Sequence, residues 1–357
     1  MIRRFTVVSL LVVVVMILSA CASAATPAAP AAPAQPAAPV TGGKLTVLCG
    51  GQEDWCQAMT KAFQAETGIE ANFVRMSSGE GLARLRAGKD SPEFDVWYGG
   101  PADGYMAAKN ENLLESYVSP NAAVIPAQAK DKDGTWTGIY IGALGFCSNK
   151  DVLDKLGVAV PKSWAELLDP KLKGQVAMAH PATSGTAFTA FWTQVTINGF
   201  DVDKAFAYFK QLHNNILQYT KTGSAPGQMA GRGEVAVAII FSRDCVKFSE
   251  EGMSALQVSF PSEGTGYETG GVAIIKGAKN LDAAKKWVDW VLTAKSQEIP
   301  PTVKAYQLPT NPDAKVSEKS EKLSDIKLVD YDFIKSAAQE KAITERFDAE
   351  IAPAPKE

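Results

Sequence analysis

Histidine is almost absent: the 357 residues contain 2, His180 and His213. That is poor material for an imidazole-based metal cluster, and no H-E-x-x-H stretch occurs. A G-x-S-x-G elbow is missing as well. His180 stands four residues before Ser184, yet no third group nearby would orient them as base and nucleophile. Hydrolytic chemistry therefore lacks its parts, and no enzymatic activity or cofactor is expected. Runs of basic residues are lacking too. With 36 Lys and Arg against 39 Asp and Glu, the net charge is −3, which argues against a nucleic-acid partner. Past residue 20 no stretch approaches the roughly 20 apolar residues that a spanning helix needs, and no internal repeat is evident.

What is present begins at the N-terminus. Met1-Ile2-Arg3-Arg4 is a basic start, "FTVVSLLVVVVMIL" is an apolar run, and Leu18-Ser19-Ala20-Cys21 closes it. This reads as an export signal over 1–20. The "LSAC" ending resembles a bacterial lipobox, which implies that Cys21 becomes a lipidated N-terminus; a plain secretory signal is the alternative. Residues 21–43 are then an Ala/Pro-rich spacer with no charge and almost no large apolar side chain. An anchor followed by a spacer describes a globular body tethered to the cell envelope, in the periplasm or on the outer face of the cytoplasmic membrane. Beyond residue 43, 314 residues remain, too many for one ordinary core and suited to two lobes. Without Arg3 and Arg4, 34 basic residues face 39 acidic ones, a net of −5.

Four cysteines follow Cys21, an even number that suits two disulfides in an exported protein. Cys49 at a strand end and Cys56 in the next helical turn suit a short closure, which leaves Cys147 with Cys245. Buried free thiols are the alternative.

Strand-like and helix-like runs alternate. "KLTVLC" (44–49) precedes a helix with Trp55, Met59 and Phe63 on one stripe; "EANFVR" (70–75) and "FDVWYGG" (94–100) follow as strands. A long extended segment ends near Cys147, "GQVAMA" (174–179) and "EVAVAIIF" (234–241) are further strands, and "GGVAIIKGAKNLDAAKKWVDWVLTA" (270–294) joins a strand to an amphipathic helix. The alternation indicates an α/β class with parallel βαβ units. Three turns lie between a strand and a helix: Ser77-Ser78-Gly79, Gly99-Gly100-Pro101-Ala102-Asp103 and Thr183-Ser184-Gly185-Thr186. A fourth, Thr222-Gly223-Ser224, opens a helix of its own. Each offers unpaired N–H groups and a positive dipole end to an anion. An ordinary N-cap is the competing role for each. In open α/β sheets ligands sit beyond the carboxyl ends of the strands, where these turns gather.

At this point the chain resembles the solute-binding lipoproteins of ABC importers, in the branch holding ferric-iron, hexose-phosphate and phosphonate binders. The residues that carry the resemblance are "FDVWYGGPADGYMAAKNENLLESY", the block from "GTWTGIYIGALGFCSNKD" to "HPATSGTAF", and "GGVAIIKGAKNLDAAKKWVDWVL". It implies a two-lobed periplasmic-binding-protein fold of class II type, with a ligand cleft between lobes joined by a short hinge. Lobe one would be 44–143 with 263–357, and lobe two 144–262. It also implies a monomer that hands a small ligand to permease subunits.

Ferric members of that branch hold the hard Fe(III) ion with an adjacent tyrosine pair. The matching stretch here, "LQYTKTGSAPGQ", has only Tyr219. Its hydroxyls and glycine instead suit phosphate or phosphonate oxygens. The expected ligand is therefore a small anion, a phosphorylated sugar or a phosphonate, with ferric iron at Tyr219 as the alternative. The candidate contacts are Ser77, Ser78, Gly79, Tyr98, Gly100, Asp103, His180, Thr183, Ser184, Gly185, Thr186, Thr222, Gly223, Ser224 and Asp244. Asp244, with Arg243, is placed to meet sugar hydroxyls or an amine, and Tyr98 to stack on a ring. The C-terminal "FIKSAAQEKAITERFDAE" is expected to be a helix packed on lobe one, without a ligand role.

Overall fold

The computed structural model describes residues 43–355. The expected export signal, Cys21 and the expected spacer up to residue 42 lie outside the described residues. Strand β1 (Lys44–Cys49) leads into α1 (Glu53–Thr67), which forms where the sequence pattern places it: Trp55, Met59 and Phe63 are all buried, and Gly68 at φ 73° stops the helix. Next come β2 (Glu70–Arg75), α2 (Ser78–Ala87), β3 (Val96–Pro101), α3 (Ala102–Asn110) and the short β4 (Leu114–Glu115). The 13-residue β5 (Thr137–Asn149) is followed by α4 (Lys150–Leu156), β6 (Val176–Ala179), α5 (Gly185–Ile197), α6 (Val202–Leu212) and β7 (Ile216–Thr220). Then α7 (Ala225–Gly231), β8 (Val237–Phe241), α8 (Ser242–Glu250), β9 (Leu256–Ser259) and β10 (Tyr267–Ile275) complete the middle of the chain. The last elements are α9 (Leu281–Val291), α10 (Ala294–Gln297), β11 (Leu308–Pro309) and α11 (Phe333–Glu350).

Hydrogen bonding links the strands in the order β2-β1-β3-β10-β5-β8-β6-β7. The centre of this path is β5, which changes partners along its length. Residues 137–143 pair with β10, and from Leu144 onward the strand pairs with β8 and β9. On the first side β1 is parallel to both β2 and β3, as the βαβ reading requires; on the second β6 is parallel to β7 and β8. Separate apolar cores cover the two sides. Trp55, Phe63, Trp287 and Trp290 fill one, and Phe188, Phe191, Phe206 and Phe209 the other. These are the two lobes.

Cys49 is joined to Cys56 and Cys147 to Cys245. The second bridge ties β5 to the first turn of α8, fixing the helix that carries Arg243 and Asp244.

The C-terminal helix departs from expectation. Its N-terminal end packs on α3, but Ile343 and Phe347 are buried in the core of the second lobe among Phe191 and Phe209. The sequence suggested packing on lobe one alone, and nothing local in α11 shows that two different bodies share it.

Candidate functional site

Three helices start at one cleft between the lobes. Helix α3 follows Gly100-Pro101, α5 follows Ser184, and α7 follows Ser224, and in none of the three does a side chain cap the helix. The first N–H groups of a helix have no partner inside it, so α3 and α5 present donors and positive dipole ends. At α7 Pro226 has no N–H, and Ala225 and Gly227 donate to Thr222 O at 3.3 Å and Ser224 O at 3.1 Å, so only the preceding Gly223-Ser224 turn has amides to offer the cleft. Helix α2 is different, because its N-terminus is satisfied internally. Glu80 Oε2 accepts from the Ser77 N–H at 3.2 Å and lies 2.8 Å from Ser77 Oγ, a capping box that the sequence reading did not identify.

Glycine makes the approach of these turns possible. A Cβ on Gly185 would stand 2.8 Å from Pro101 Cδ, across the cleft, and one on Gly223 would stand 2.9 Å from Ser184 Oγ and collide with Thr186 Oγ1. Gly100 sits at φ 91°, in the left-handed region, with Ser78 Oγ where its side chain would be. Direct bonds also cross between the lobes. Thr183 O accepts from the Gly79 N–H at 3.1 Å and lies 2.5 Å from Ser77 Oγ, and Lys221 Nζ is 2.7 Å from Glu80 Oε1. At the other lip Gln52 Nε2 donates to Asp244 Oδ1 at 2.7 Å, and Lys247 pairs with Asp54.

The cleft is lined from both lobes, by Ser78 and Gly100 on one side and Ser184, Thr186 and Ser224 on the other. Beyond the serines and glycines, its wall carries charge of both signs. Arg243 Nη2 lies 2.5 Å from Glu268 Oε1 and its guanidinium sits over the rings of Phe241 and Tyr140. Burial works against the Arg243 charge, but Glu268 and Asp244 more than restore it and raise its pKa. Burial pushes Glu268 up to about 7, against the pull of Arg243. The Tyr140 hydroxyl accepts from the Gly100 N–H at 3.1 Å and donates to Glu268 Oε2 at 3.4 Å, so it links an anion-facing turn to the carboxylate. Arg75 closes β2 and donates through Nε to Gly51 O at 3.1 Å; among the described residues it forms no ion pair. Burial lowers its pKa, with Glu80 and Asp244 opposing.

Of the residues singled out from the sequence, Ser77, Ser78, Gly100, Ser184, Gly185, Thr186, Gly223, Ser224 and Asp244 line this space. The others lie elsewhere. Gly79 and Thr183 bond to each other at the seam between the lobes, and Thr222 turns its carbonyl to the Thr220 hydroxyl. Tyr98 is buried between Trp55 and Trp287. Asp103 and His180 are buried against the C-terminal segment. The Tyr219 hydroxyl is 3.1 Å from His213 Nδ1, and its ring packs on His180 and Phe347. Gln52, Arg75, Tyr140 and Glu268 are lining residues that sequence reasoning missed. Two carried a signal: Arg75 ends a strand just before a predicted turn, and Glu268 is a lone carboxylate inside an otherwise apolar strand.

Residues 58–327 match the family of bacterial extracellular solute-binding proteins. The chain belongs to that family. The binding protein also aligns with the periplasmic binding protein AfuA of Actinobacillus pleuropneumoniae, whose structure holds exogenous fructose-6-phosphate. Identity is 41%, the TM-score is 0.84, and the match covers 87% of this chain and 98% of that one. An uncharacterised Haemophilus influenzae protein is 39% identical over 317 residues, 87% of this chain and 91% of the relative. A Salmonella typhimurium periplasmic protein named for binding 2-aminoethylphosphonate is 25% identical over 264 residues, 72% of this chain and 75% of the relative. The two-lobed architecture is thus that of periplasmic binding proteins, a family of binding proteins by assignment rather than enzymes.

Proposed function

We propose that this protein is the lipid-anchored solute-binding component of an ABC importer and that it captures a hexose phosphate. The observation that carries the reading is the convergence on one cleft of the uncapped α5 N-terminus, the Gly100-Pro101 turn that opens α3 and the Gly223-Ser224 turn that precedes α7. Ser78, Ser184, Thr186 and Ser224 add hydroxyls there, and Arg75 supplies a formal positive charge. Phosphate oxygens would take the backbone donors that open α5 and those of the Gly223-Ser224 turn before α7. The sugar would lie toward Arg243, Asp244 and Glu268, whose carboxylates accept from hydroxyl groups and whose guanidinium donates to them. The exogenous fructose-6-phosphate bound in the AfuA structure supports this order of preference. In this scheme 44–143 with 263–332 forms lobe one, 144–262 forms lobe two, and the C-terminal helix is shared.

A second reading, 2-aminoethylphosphonate, draws on the same Asp244 and Glu268, because two carboxylates also suit an ammonium group. Ferric iron is not favoured, since Tyr219 lies outside the cleft with its hydroxyl on His213.

Thermal unfolding of residues 44–357 against a panel tests the reading. Fructose 6-phosphate and glucose 6-phosphate at 100 times Kd should each add about 2.7 kcal/mol. Free fructose should add nothing, and inorganic phosphate should need far higher concentrations. Stabilisation by 2-aminoethylphosphonate alone would select the second reading, and none by any phosphorus compound would overturn both.

A further inference from the structure

Two buried polar side chains have no place in the cleft although the sequence pointed to both. Asp103, in the first turn of α3, is 3% exposed; its carboxylate accepts from Tyr331 Oη at 3.2 Å and from the Ser336 hydroxyl. His180, just after β6, is fully buried. Its Nδ1 accepts from the Ala182 N–H at 3.2 Å, which assigns the ring proton to Nε2, 2.9 Å from the Ala352 carbonyl and 3.3 Å from Asp348 Oδ1 near the end of α11. Burial holds this imidazole below its ordinary pKa, consistent with a neutral ring.

Both partners belong to the C-terminal segment. Ser336 lies near the start of α11 and Ala352 just beyond its end, 16 residues apart in the sequence, or about 24 Å at a helical rise. Each grip sits immediately behind a turn that faces the cleft. Asp103 follows Gly100-Pro101 in sequence. The His180 carbonyl accepts from the N–H groups of Thr183 at 3.1 Å and Ser184 at 3.0 Å, which sets the turn that opens α5. The two turns meet where Gly185 approaches Pro101. Helix α11 also lies wholly beyond residues 58–327, the part that matches the family.

We infer that the C-terminal helix is a strap that grips the two anion-facing turns from behind and fixes their spacing, with Asp103, His180 and Ser336 as positioning residues. The strap rests on the geometry above. Its effect on affinity rests in addition on the proposed hexose-phosphate reading. A rigid rod held at both ends transmits a displacement of one turn to the other. Releasing either end therefore abolishes the coupling, and releasing the second adds nothing.

The test uses residues 44–357 and two mild variants that keep Phe347 in its core. Tyr331→Phe with Ser336→Ala frees the Asp103 end, and Asp348→Ala with a stop after Ile351 removes both polar partners of His180 Nε2. Amide hydrogen exchange of the ligand-free protein is read at 99–104 and at 182–188. Each variant should speed exchange in both segments, including the one far from the change. Fructose 6-phosphate affinity should fall about tenfold in each, within the usual range of coupling between separated groups. The combined variant should be no weaker than either alone, whereas two independent losses of stability would add. Faster exchange confined to the altered end, or additive losses of affinity, would overturn the strap. Failure of the unaltered protein to bind fructose 6-phosphate would overturn the ligand reading instead, and the exchange pattern would still decide the strap.

Discussion

Gly185→Ala separates closure of the cleft from folding of the chain. Gly185 is the first residue of α5 and its φ is not positive, so alanine suits the local backbone. In the unliganded protein the change should leave stability equal or raise it by about 0.4–1 kcal/mol, because alanine narrows the unfolded ensemble. The cost appears only when the lobes meet. The added methyl would stand 2.8 Å from Pro101 Cδ, 2.9 Å from Pro101 Cγ and 3.3 Å from Ser78 Cβ. Ordinary carbon contacts are about 3.5–4.0 Å, so the overlap with proline is about 0.7 Å. A proline ring cannot rotate away, and overpacking of this kind costs about 1–3 kcal/mol. Charged entirely to the closed, ligand-holding state, that raises Kd about 5- to 150-fold. Calorimetric titration of fructose 6-phosphate into wild type and variant measures this, beside thermal melts of both without ligand. An unchanged Kd would refute the cross-cleft contact. A melting temperature lowered without ligand would show that Gly185 serves folding rather than closure.

Other outcomes follow from the same geometry. Arg75→Gln should weaken phosphorylated ligands by about 1.5–3 kcal/mol, the worth of a hydrogen bond to a charged group, and flatten the salt dependence of binding in calorimetry. Glu340, half-buried on α11 with Oε2 unpartnered, is pushed up to about 7 by burial. A carboxyl with a raised folded-state pKa contributes most below about 4.5, and that contribution is lost as pH rises to about 7. Glu340→Gln should therefore gain on wild type by about 2–3 kcal/mol between pH 4.5 and 8, read from urea midpoints; equal slopes would refute the burial argument. The Cys147–Cys245 bridge closes a separation of 98 residues and Cys49–Cys56 one of 7. Replacing both cysteines of the first pair by alanine should cost about 4.7 kcal/mol and of the second about 2.5 kcal/mol on loop entropy, again by urea unfolding.

Features of the site set by local chemistry were legible in the sequence. Ser184-Gly185-Thr186 follows an apolar strand and precedes an apolar helix, so its place at a helix N-terminus needed no tertiary information. The α1 stripe of Trp55, Met59 and Phe63 was equally local. Long-range partners were not legible. Asp103 stood among the candidate contacts at the cleft, but its bonds run to Tyr331 and Ser336, 228 and 233 residues away. Tyr98 ends a strand where a stacking face is wanted, yet α1 and α9 bring Trp55 and Trp287 to cover it. Glu268 acquires meaning only when β10 sets it opposite Arg243 of α8. For α11 the sequence suggested packing on lobe one and could not show that the second lobe shares the helix.

A crystal structure of residues 44–357 grown with fructose 6-phosphate tests the central claim most directly. The account predicts phosphate oxygens within about 3 Å of the backbone nitrogens that open α5 and of the Gly223-Ser224 turn, with the sugar toward Asp244 and Glu268. A phosphate seated at Arg243 with the sugar at the Ser184 turn, or a ligand outside this cleft, would contradict it.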